Sequence, residues 1–528
     1  MPPSICADHV ISTDFALFPS CIDRVRGATS SDNPTTGNGH VSNGVRTKAG
    51  PSHLQHTEDN ELHDLICIGF GPASLAIAVA LHDALDESHA PTKSLPRLGA
   101  RPPKIAFLER QRCFGWHTGM LLEGAKMQIS FVKDLATLRN PRSEFTFLNY
   151  LHRNNRLVQF TNLSTFLPQR IEYEDYMRWC AGGFEEVVEY NQEVLEVSPI
   201  KSNYRSKVVD CFKVRSLNTR TRMFTNRRAR HVVIAVGGKP HIPKNLHHPH
   251  PRVLHSSEYS IYVPSILTDP TKAYKIAVVG AGQSAAEIFH NLHSRYPNAK
   301  TSLIIKGAAL RPSDDSPFVN EIFDPDRVDD VFHQSSEVRS AALKLDRGTN
   351  YGVVRLELLE RIYEDLYTQR IKYRNEDEWP RRILNHRTVT SITDTPDSPN
   401  TVRLHIDNQS GQHRKHGTVG EESMDPDLVL VAAGYTRDTH EAILHGARGL
   451  MPGGDAEGKR WTVGRDYKVQ FEEGKVSSDA GIWLQGCNES THGLSDTLLS
   501  VLATRSGEIV QSMFGKANDD VDMLGSSS

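Results

Sequence analysis

Two stretches of the chain follow the same pattern: Asp64-Leu-Ile-Cys-Ile-Gly-Phe-Gly-Pro-Ala-Ser74 and Lys275-Ile-Ala-Val-Val-Gly-Ala-Gly-Gln-Ser-Ala285. In each, a short apolar run leads to two glycines with one residue between them, and small residues follow. This pattern is typical of a buried strand that turns tightly at the first glycine and enters a helix at the second. Because the start of that helix offers free N–H groups and a positive dipole, it binds the pyrophosphate of a dinucleotide. Two such units, about 210 residues apart, predict an α/β protein with two Rossmann-like dinucleotide-binding domains.

The first unit has the residues expected around a dinucleotide. Its three fingerprint positions are Gly69, Gly71 and Ser74. In these folds an acid at the end of the next strand binds the adenosine ribose, usually ~20 residues further on. Glu109 ends the next apolar run, and it comes later than usual because a segment rich in proline, residues 88–103, lengthens the connection. We predict that these four residues bind the first nucleotide.

The second unit favours a phosphorylated nicotinamide nucleotide. Gly280, Gly282 and Ala285 fit the fingerprint, and the next apolar run ends in Lys306. A base at this position attracts the 2′-phosphate of NADPH, whereas the usual acid would repel it. Two nucleotide motifs in one chain are typical of enzymes that combine a flavin with a pyridine nucleotide. We therefore predict FAD at the first unit and NADPH at the second.

The order of the motifs predicts that the NADPH-binding domain is inserted into the FAD-binding domain. Apolar runs at residues 233–238 and 428–435 fit the strands that leave and re-enter the FAD-binding domain. The predicted organisation is a disordered leader at 1–60, FAD-binding parts at 61–250 and 426–514, an NADPH-binding domain at 251–425, and a flexible tail at 515–528. A small helical substrate-binding segment is expected at about 311–375.

The composition limits the partners. A formal net charge of -3 on 528 residues predicts neither a nucleic-acid nor a membrane-surface partner. The most apolar stretch, residues 65–81, contains two glycines and a proline and is short for a membrane span. No basic region followed by an apolar run begins the chain, so a cytoplasmic protein is expected. The sequence has no Cys-x-x-Cys pair, which excludes a dithiol disulfide oxidoreductase of the same two-nucleotide layout.

Five blocks of the sequence resemble the L-ornithine N(5)-monooxygenases of fungal and bacterial siderophore biosynthesis. The blocks are residues 126–142, 280–287, 311–323, 350–354, and 433–437 together with 492–496. The resemblance extends over about residues 62–514. It implies an FAD- and NADPH-dependent enzyme that uses O₂, through a flavin C(4a)-hydroperoxide, to hydroxylate the side-chain amine of L-ornithine. The product, N(5)-hydroxy-L-ornithine, is a precursor of hydroxamate siderophores, and the family also suggests a homotetramer.

The resemblance assigns roles to residues that the glycine motifs do not reach. The predicted substrate contacts are Lys133, Asn320, Asn350 and Ser495, of which Lys133 is a suitable anchor for the ornithine carboxylate. Gln128 matches a residue near the flavin. The predicted NADPH site, besides its two glycines, contains Gln283, Ser284 and Lys306. The family has Arg where this chain has Lys306, and a lysine is a point charge rather than a planar fork.

Three alternatives remain open at this point. A general or Baeyer–Villiger flavin monooxygenase has Phe-x-Gly-x-x-x-His between its nucleotide motifs; here His255 is present, but Pro249 and Pro251 replace the other two residues. A non-enzymatic FAD-binding redox sensor would not need the substrate residues. An L-lysine N(6)-monooxygenase differs in its substrate by one methylene, which is worth only about 1–3 kcal/mol in a pocket.

Overall fold

The computed structural model describes residues 48–86, 98, 102–201, 208–395, 398–409 and 420–515. Most of the predicted leader and nearly all of the predicted tail lie outside these residues. The strands are β1 (Leu62–Ile68), β2 (Ile105–Glu109), β3 (Val188–Tyr190), β4 (Gln192–Lys201), β5 (Val209–Asn218), β6 (Phe224–Ile234), β7 (Lys239–Pro240), β8 (Val253–His255), β9 (Lys275–Val279), β10 (Lys300–Ile304), β11 (Arg381–Leu384), β12 (Arg387–Thr395), β13 (Ser398–Asn408), β14 (Gly420–Met424), β15 (Leu428–Val431), β16 (Tyr435–Thr436) and β17 (Gly481–Leu484). The α-helices are α1 (Pro72–Leu85), α2 (Phe147–Arg153), α3 (Leu157–Asn162), α4 (Arg170–Ala181), α5 (Tyr259–Ile266), α6 (Gln283–Arg295), α7 (Pro317–Asn320), α8 (Arg327–His333), α9 (Ser336–Asn350), α10 (Leu356–Lys372), α11 (Thr439–Ile443), α12 (Glu489–His492) and α13 (Leu502–Phe514).

The first glycine unit lies in a sheet of order β3-β2-β1-β6-β5-β4, to which β17 is added beside β6. Strands β3, β2, β1, β6 and β17 are parallel, whereas β5 and β4 continue the sheet as antiparallel strands. Strand β1 is buried on both faces, since Leu65 and Cys67 join one apolar cluster and Ile66 and Ile68 join another. Burial on both faces explains why this strand is a continuous apolar run rather than an alternating one.

The second glycine unit lies in a separate parallel sheet of order β11-β10-β9-β15-β8. This sheet and the first confirm the predicted α/β class with two Rossmann-like units. A three-stranded antiparallel sheet, β12-β13-β14, packs its apolar residues against the same unit.

The structure corrects the predicted role of the strand at 428. We expected the closing part of the first unit to begin at residue 426, with the apolar run at 428–435 leading back into it, but β15 pairs with β9 and β8 in the second sheet. An apolar run shows that a strand is buried without showing which of two parallel sheets it joins, so the sequence could not decide this. The chain returns to the first unit at β16, which pairs with the outgoing β7. The segment that leaves the first unit and the segment that returns to it therefore lie side by side, and β17 then completes the first sheet.

Residues 48–60 do not behave as part of a disordered leader. Leu54 is 1% exposed, the Ser52 amide donates to the Gly183 carbonyl (3.0 Å), and the Thr57 hydroxyl accepts from the Ile105 amide (3.1 Å). These contacts attach the segment to the first unit. Because only a few apolar side chains anchor it, the segment has no periodic pattern that a sequence analysis could detect. Among the described helices, none combines the length and the apolar character needed to cross a membrane.

Candidate functional site

The first glycine turn has the shape of a phosphate cradle. Gly69 has a φ of +88°, and a Cβ placed on it would lie 2.7 Å from the Ala235 carbonyl oxygen. Only glycine fits there, because the turn is left-handed and the backbone just after β6 passes so close. Gly71 is the N-cap of α1, and a Cβ placed on it would meet no heavy atom within 4 Å. The open space in front of this helix N-terminus fits the pyrophosphate of a dinucleotide.

Two further residues predicted for the first nucleotide lie beside this turn. Ser74 is fully buried in the first turn of α1. Glu109 is 6% exposed, and its carboxylate accepts hydrogen bonds from the Phe70 amide (2.7 Å) and the Gln111 amide (2.9 Å). A carboxylate has about four acceptor sites, so the two that remain can accept hydroxyl groups of a ribose.

Gln128 lies elsewhere, on an exposed part of the loop between β2 and α2. The adjacent Met127 carbonyl accepts a hydrogen bond from the Arg355 guanidinium (2.9 Å). Arg355 in turn donates its amide to Gln283 at the start of α6 (2.9 Å). The loop that carries Gln128 is therefore joined to the second glycine unit.

The second glycine turn repeats the geometry of the first. Gly280 has a φ of +141°, and its Cβ would lie 2.6 Å from the Ala432 carbonyl oxygen. Gly282 is the N-cap of α6, and its Cβ would lie 3.6 Å from the Cα of Gly352. The segment after α9 thus approaches the mouth of this turn, which fits a nucleotide held between the two.

The other residues predicted for the second nucleotide differ in how far they are engaged. The Gln283 carboxamide is used at both ends, since it donates to Glu287 (2.9 Å) and accepts from Arg355. Ser284 is half-buried in the first turn of α6. Lys306 lies just beyond the end of β10, is exposed, and has no ion-pair partner among the residues that the structure describes. Its charge is therefore available to an anionic ligand.

Lys133 is held in place by its surroundings. Its ammonium group lies 3.2 Å from an Asp324 oxygen, and its carbonyl accepts from the Tyr173 hydroxyl (3.1 Å). The neighbouring Asp134 does not form a solvated pair with it, because Asp134 is 2% exposed and accepts from the amides of Ala136, Thr137 and Phe147. Burial raises the pKa of Asp134 against the opposing effect of these hydrogen bonds.

The other predicted substrate residues lie on separate elements. Asn320 ends α7, and its side-chain Nδ2 donates a hydrogen bond to the Asp315 carbonyl (2.7 Å). Asn350 ends α9, and Ser495 is 2% exposed in the short 3-10 helix Leu494–Thr497.

Four contacts join the segments that carry these residues, one of them to the Lys133 segment and three among the others. They are Lys133 to Asp324, Ser500 Oγ to the Phe323 carbonyl (3.1 Å), Tyr351 Oη to Thr497 Oγ1 (3.2 Å), and the Asp314 amide to the Thr349 carbonyl (3.2 Å). The structure brings the four segments together, although no hydrogen bond among its described residues joins the four predicted side chains directly.

Two polar contacts around this region could not be found from the motifs. Arg170, at the start of α4, makes a bidentate pair with Glu287 of α6 (2.8 Å for both contacts). Glu489 of α12 binds Arg347 (2.5 and 2.9 Å) and the Tyr351 hydroxyl (2.8 Å), which attaches the end of α9 to the segment containing Ser495. For the contact between Arg170 and Glu287, the one signal in the sequence was an acidic residue, Glu287, among the apolar residues of α6.

His255 is a structural residue in this fold. It is 1% exposed; its Nε2 lies 3.0 Å from the Gly434 carbonyl and its Nδ1 lies 2.8 Å from Ser257 Oγ. Burial lowers its pKa, so the ring is neutral near pH 7 and donates from Nε2. It therefore joins β8 to the returning segment at Gly434, just before β16. This structural role explains why a histidine stands here even though the rest of the Baeyer–Villiger motif is missing.

Comparisons with known proteins agree with this geometry. The family model of L-lysine 6-monooxygenase/L-ornithine 5-monooxygenase matches residues 61–437. An L-ornithine N(5)-monooxygenase of Cochliobolus heterostrophus is 58% identical over 472 residues, which cover 88% of this chain and 89% of that protein.

Solved structures with the same fold cover a similar part of the chain. The ornithine hydroxylase of Pseudomonas aeruginosa has a TM-score of 0.75 at 34% identity, over 87% of this chain and all of that one. An ornithine N-hydroxylase of Kutzneria sp. 744, solved with reduced FAD, NADP⁺ and L-ornithine, has a TM-score of 0.74 at 34% identity, with the same coverage of both chains.

Proposed function

The chain belongs to the L-lysine 6-monooxygenase/L-ornithine 5-monooxygenase family, and from this membership we propose that it hydroxylates the side-chain amine of L-ornithine. The reaction uses FAD, NADPH and O₂ and gives N(5)-hydroxy-L-ornithine for hydroxamate siderophores. The observation that carries the proposal is the convergence of the Lys133, Asn320, Asn350 and Ser495 segments in a chain with two phosphate cradles.

The two cradles suit two different nucleotides. We propose that Gly69, Gly71, Ser74 and Glu109 hold FAD with Gln128 nearby, and that the α6 turn and Lys306 hold NADPH. Bound there, FAD would be reduced by NADPH and, with O₂, would supply the oxygen atom that the amine accepts. The protein's part is to keep both nucleotides and the amine in place, and the joined loops at Met127, Arg355 and Gln283 support that role.

The substrate residues suit a zwitterion with a long basic side chain. Lys133 is a cation for the ornithine carboxylate, and the Asn320 and Asn350 amides can donate and accept without adding charge. The side-chain amine has a free pKa near that of lysine, roughly 10.4, and it must lose its proton before it can act as a nucleophile. A desolvated pocket without a paired acid lowers that pKa.

Product analysis tests the proposal. The FAD-loaded protein is incubated with NADPH and, separately, with L-ornithine, L-lysine and a cyclic ketone, and the products are identified by mass spectrometry. We expect a product heavier by one oxygen from ornithine, together with faster NADPH oxidation. Hydroxylation of lysine in preference to ornithine would support the alternative member of the family. Conversion of the ketone alone, or no product from any compound, would contradict the proposal.

Self-association as a tetramer and a cytoplasmic location, both expected from the sequence, also remain proposals.

Lys306 should determine part of the preference for NADPH. Removing its exposed charge in Lys306→Ala is expected to raise the KM for NADPH about tenfold, which corresponds to about 1.4 kcal/mol. The KM for NADH should hardly change, because NADH has no 2′-phosphate. Initial rates of dinucleotide oxidation measure both values, and Lys306→Arg is the matched control that keeps the charge. An equal change for both dinucleotides would mean that Lys306 does not contact the 2′-phosphate.

A further inference from the structure

Helix α10 (Leu356–Lys372) has three distinct faces rather than two. One face is buried against α6 and the core of the second unit; it contains Leu358, Leu359, Ile362, Leu366 and Gln369. A second face is charged or polar and exposed; it contains Glu357, Arg361, Glu364, Thr368 and Lys372. The remaining face lies between them on the helical wheel, at about 100° per residue.

This third face is apolar and exposed. Leu356 is 56% exposed, Tyr363 74%, Tyr367 60% and Ile371 69%. The last three are spaced by four residues, so they form one stripe along the helix. A surface helix needs only one apolar stripe to attach to its own domain, and a second exposed stripe is typical of a protein interaction surface. Tyrosine is also enriched in such surfaces.

Two charges of opposite sign lie on the same face. Glu360 falls near the start of the stripe and Arg370 near its end, and both are exposed. The Arg370 guanidinium also lies 5.0 Å from the centroid of the Trp379 ring, which continues the surface beyond the helix. The face thus has an acidic end, an apolar centre and a basic end.

From this pattern we infer that the apolar face of α10 is the surface on which a second copy of the chain docks, with the two helices antiparallel about a two-fold axis. If the axis passes midway between Tyr363 and Tyr367, each Tyr363 meets Tyr367 of the second copy. The same axis places Glu360 opposite Arg370 of the second copy, and it does so twice. A parallel pairing would place Glu360 against Glu360, which is unfavourable, so the charges select the antiparallel arrangement.

The α10 helix pair alone is too small to form a stable interface between two copies of the chain. A stable interface buries about 800 Å² on each partner, more than four side chains of one helix can supply. The half-exposed residues beyond the helix, Tyr373 and Trp379, extend the surface in the required direction. The α10 pair is therefore the centre of a larger contact.

Sedimentation velocity of the FAD-loaded full chain over a range of concentrations tests the inference. We expect the wild-type protein to self-associate, and Tyr367→Glu to sediment with half the wild-type mass or less, because a charge is placed in the apolar centre. Thr368→Glu, on the charged face of the same helix, is the control and should keep the wild-type mass. Bound flavin absorbance and circular dichroism establish that each variant is folded.

A charge exchange tests the orientation and does not depend on how well Tyr367→Glu folds. Glu360→Arg and Arg370→Glu are each expected to weaken self-association about tenfold, and the double variant should restore it. A wild-type monomer, a wild-type mass for Tyr367→Glu, or a loss that the double variant does not restore would each overturn the inference. The inference rests on the proposed self-association but not on the proposed chemistry, because none of these variants replaces a residue that is proposed to contact a nucleotide or the substrate.

Discussion

Replacing Lys133 with alanine is expected to raise the KM for L-ornithine about 100-fold, while NADPH reduces the flavin at close to the wild-type rate. Lys133 is the residue proposed to bind the ornithine carboxylate, and its side chain is only 25% exposed. A charge-assisted hydrogen bond in such a setting is worth up to about 3 kcal/mol, and its loss leaves a carboxylate without its partner. The nucleotide cradles are built from other residues, so reduction should not depend on Lys133.

Stopped-flow measurement of flavin reduction, beside steady-state kinetics with ornithine, separates the two effects. Lys126→Ala is the matched control, because Lys126 is an exposed lysine in the same segment. Lys133→Arg should recover part of the loss, since it keeps the charge but changes its geometry. Equal losses in flavin reduction and in ornithine saturation would mean that Lys133 supports the fold or the flavin instead of the substrate.

The sequence predicted those features that depend on local chemistry. The glycine turns were found because only glycine allows the backbone conformation at Gly69 and Gly280 and the close approach of a neighbouring strand. The α/β class and the use of two nucleotides followed from these turns, and both are confirmed by the fold and by the family. The roles of individual substrate and nucleotide residues, and the domain boundaries as functional units, stay predictions.

The features that the sequence missed depend on distant pairings. Strand β15 was assigned to the wrong unit because its four apolar residues fit either sheet, and only its pairing with β9 decides between them. The contact of Glu489 with Arg347 joins residues 142 positions apart, and each looks like a surface charge in its own helix. The exposed apolar face of α10 could not be predicted either, because apolar residues in a helix are expected to be buried until their exposure is known. Local patterns specify elements, whereas the site depends on which elements meet.

The first glycine turn allows the roles of its two glycines to be separated. In Gly71→Ala, the new Cβ meets no protein atom within 4 Å and the backbone φ of -84° is normal for alanine. The protein without cofactor should therefore keep its stability within about 1 kcal/mol. FAD should bind about 100-fold more weakly, because the methyl group occupies the space where the backbone must approach the pyrophosphate.

Gly69→Ala is expected to lower the stability of the protein itself rather than to weaken FAD binding directly. Its Cβ would lie 2.7 Å from the Ala235 carbonyl oxygen, in a left-handed conformation that alanine disfavours. Thermal unfolding without FAD should therefore show a clear loss of stability for Gly69→Ala and almost none for Gly71→Ala, whereas titration with FAD should show the defect in Gly71→Ala. If Gly71→Ala bound FAD as tightly as the wild-type protein, the pyrophosphate would have to lie away from the start of α1. The assignment of FAD to the first of the two cradles would then fail, since the open space in front of that helix is what supports it.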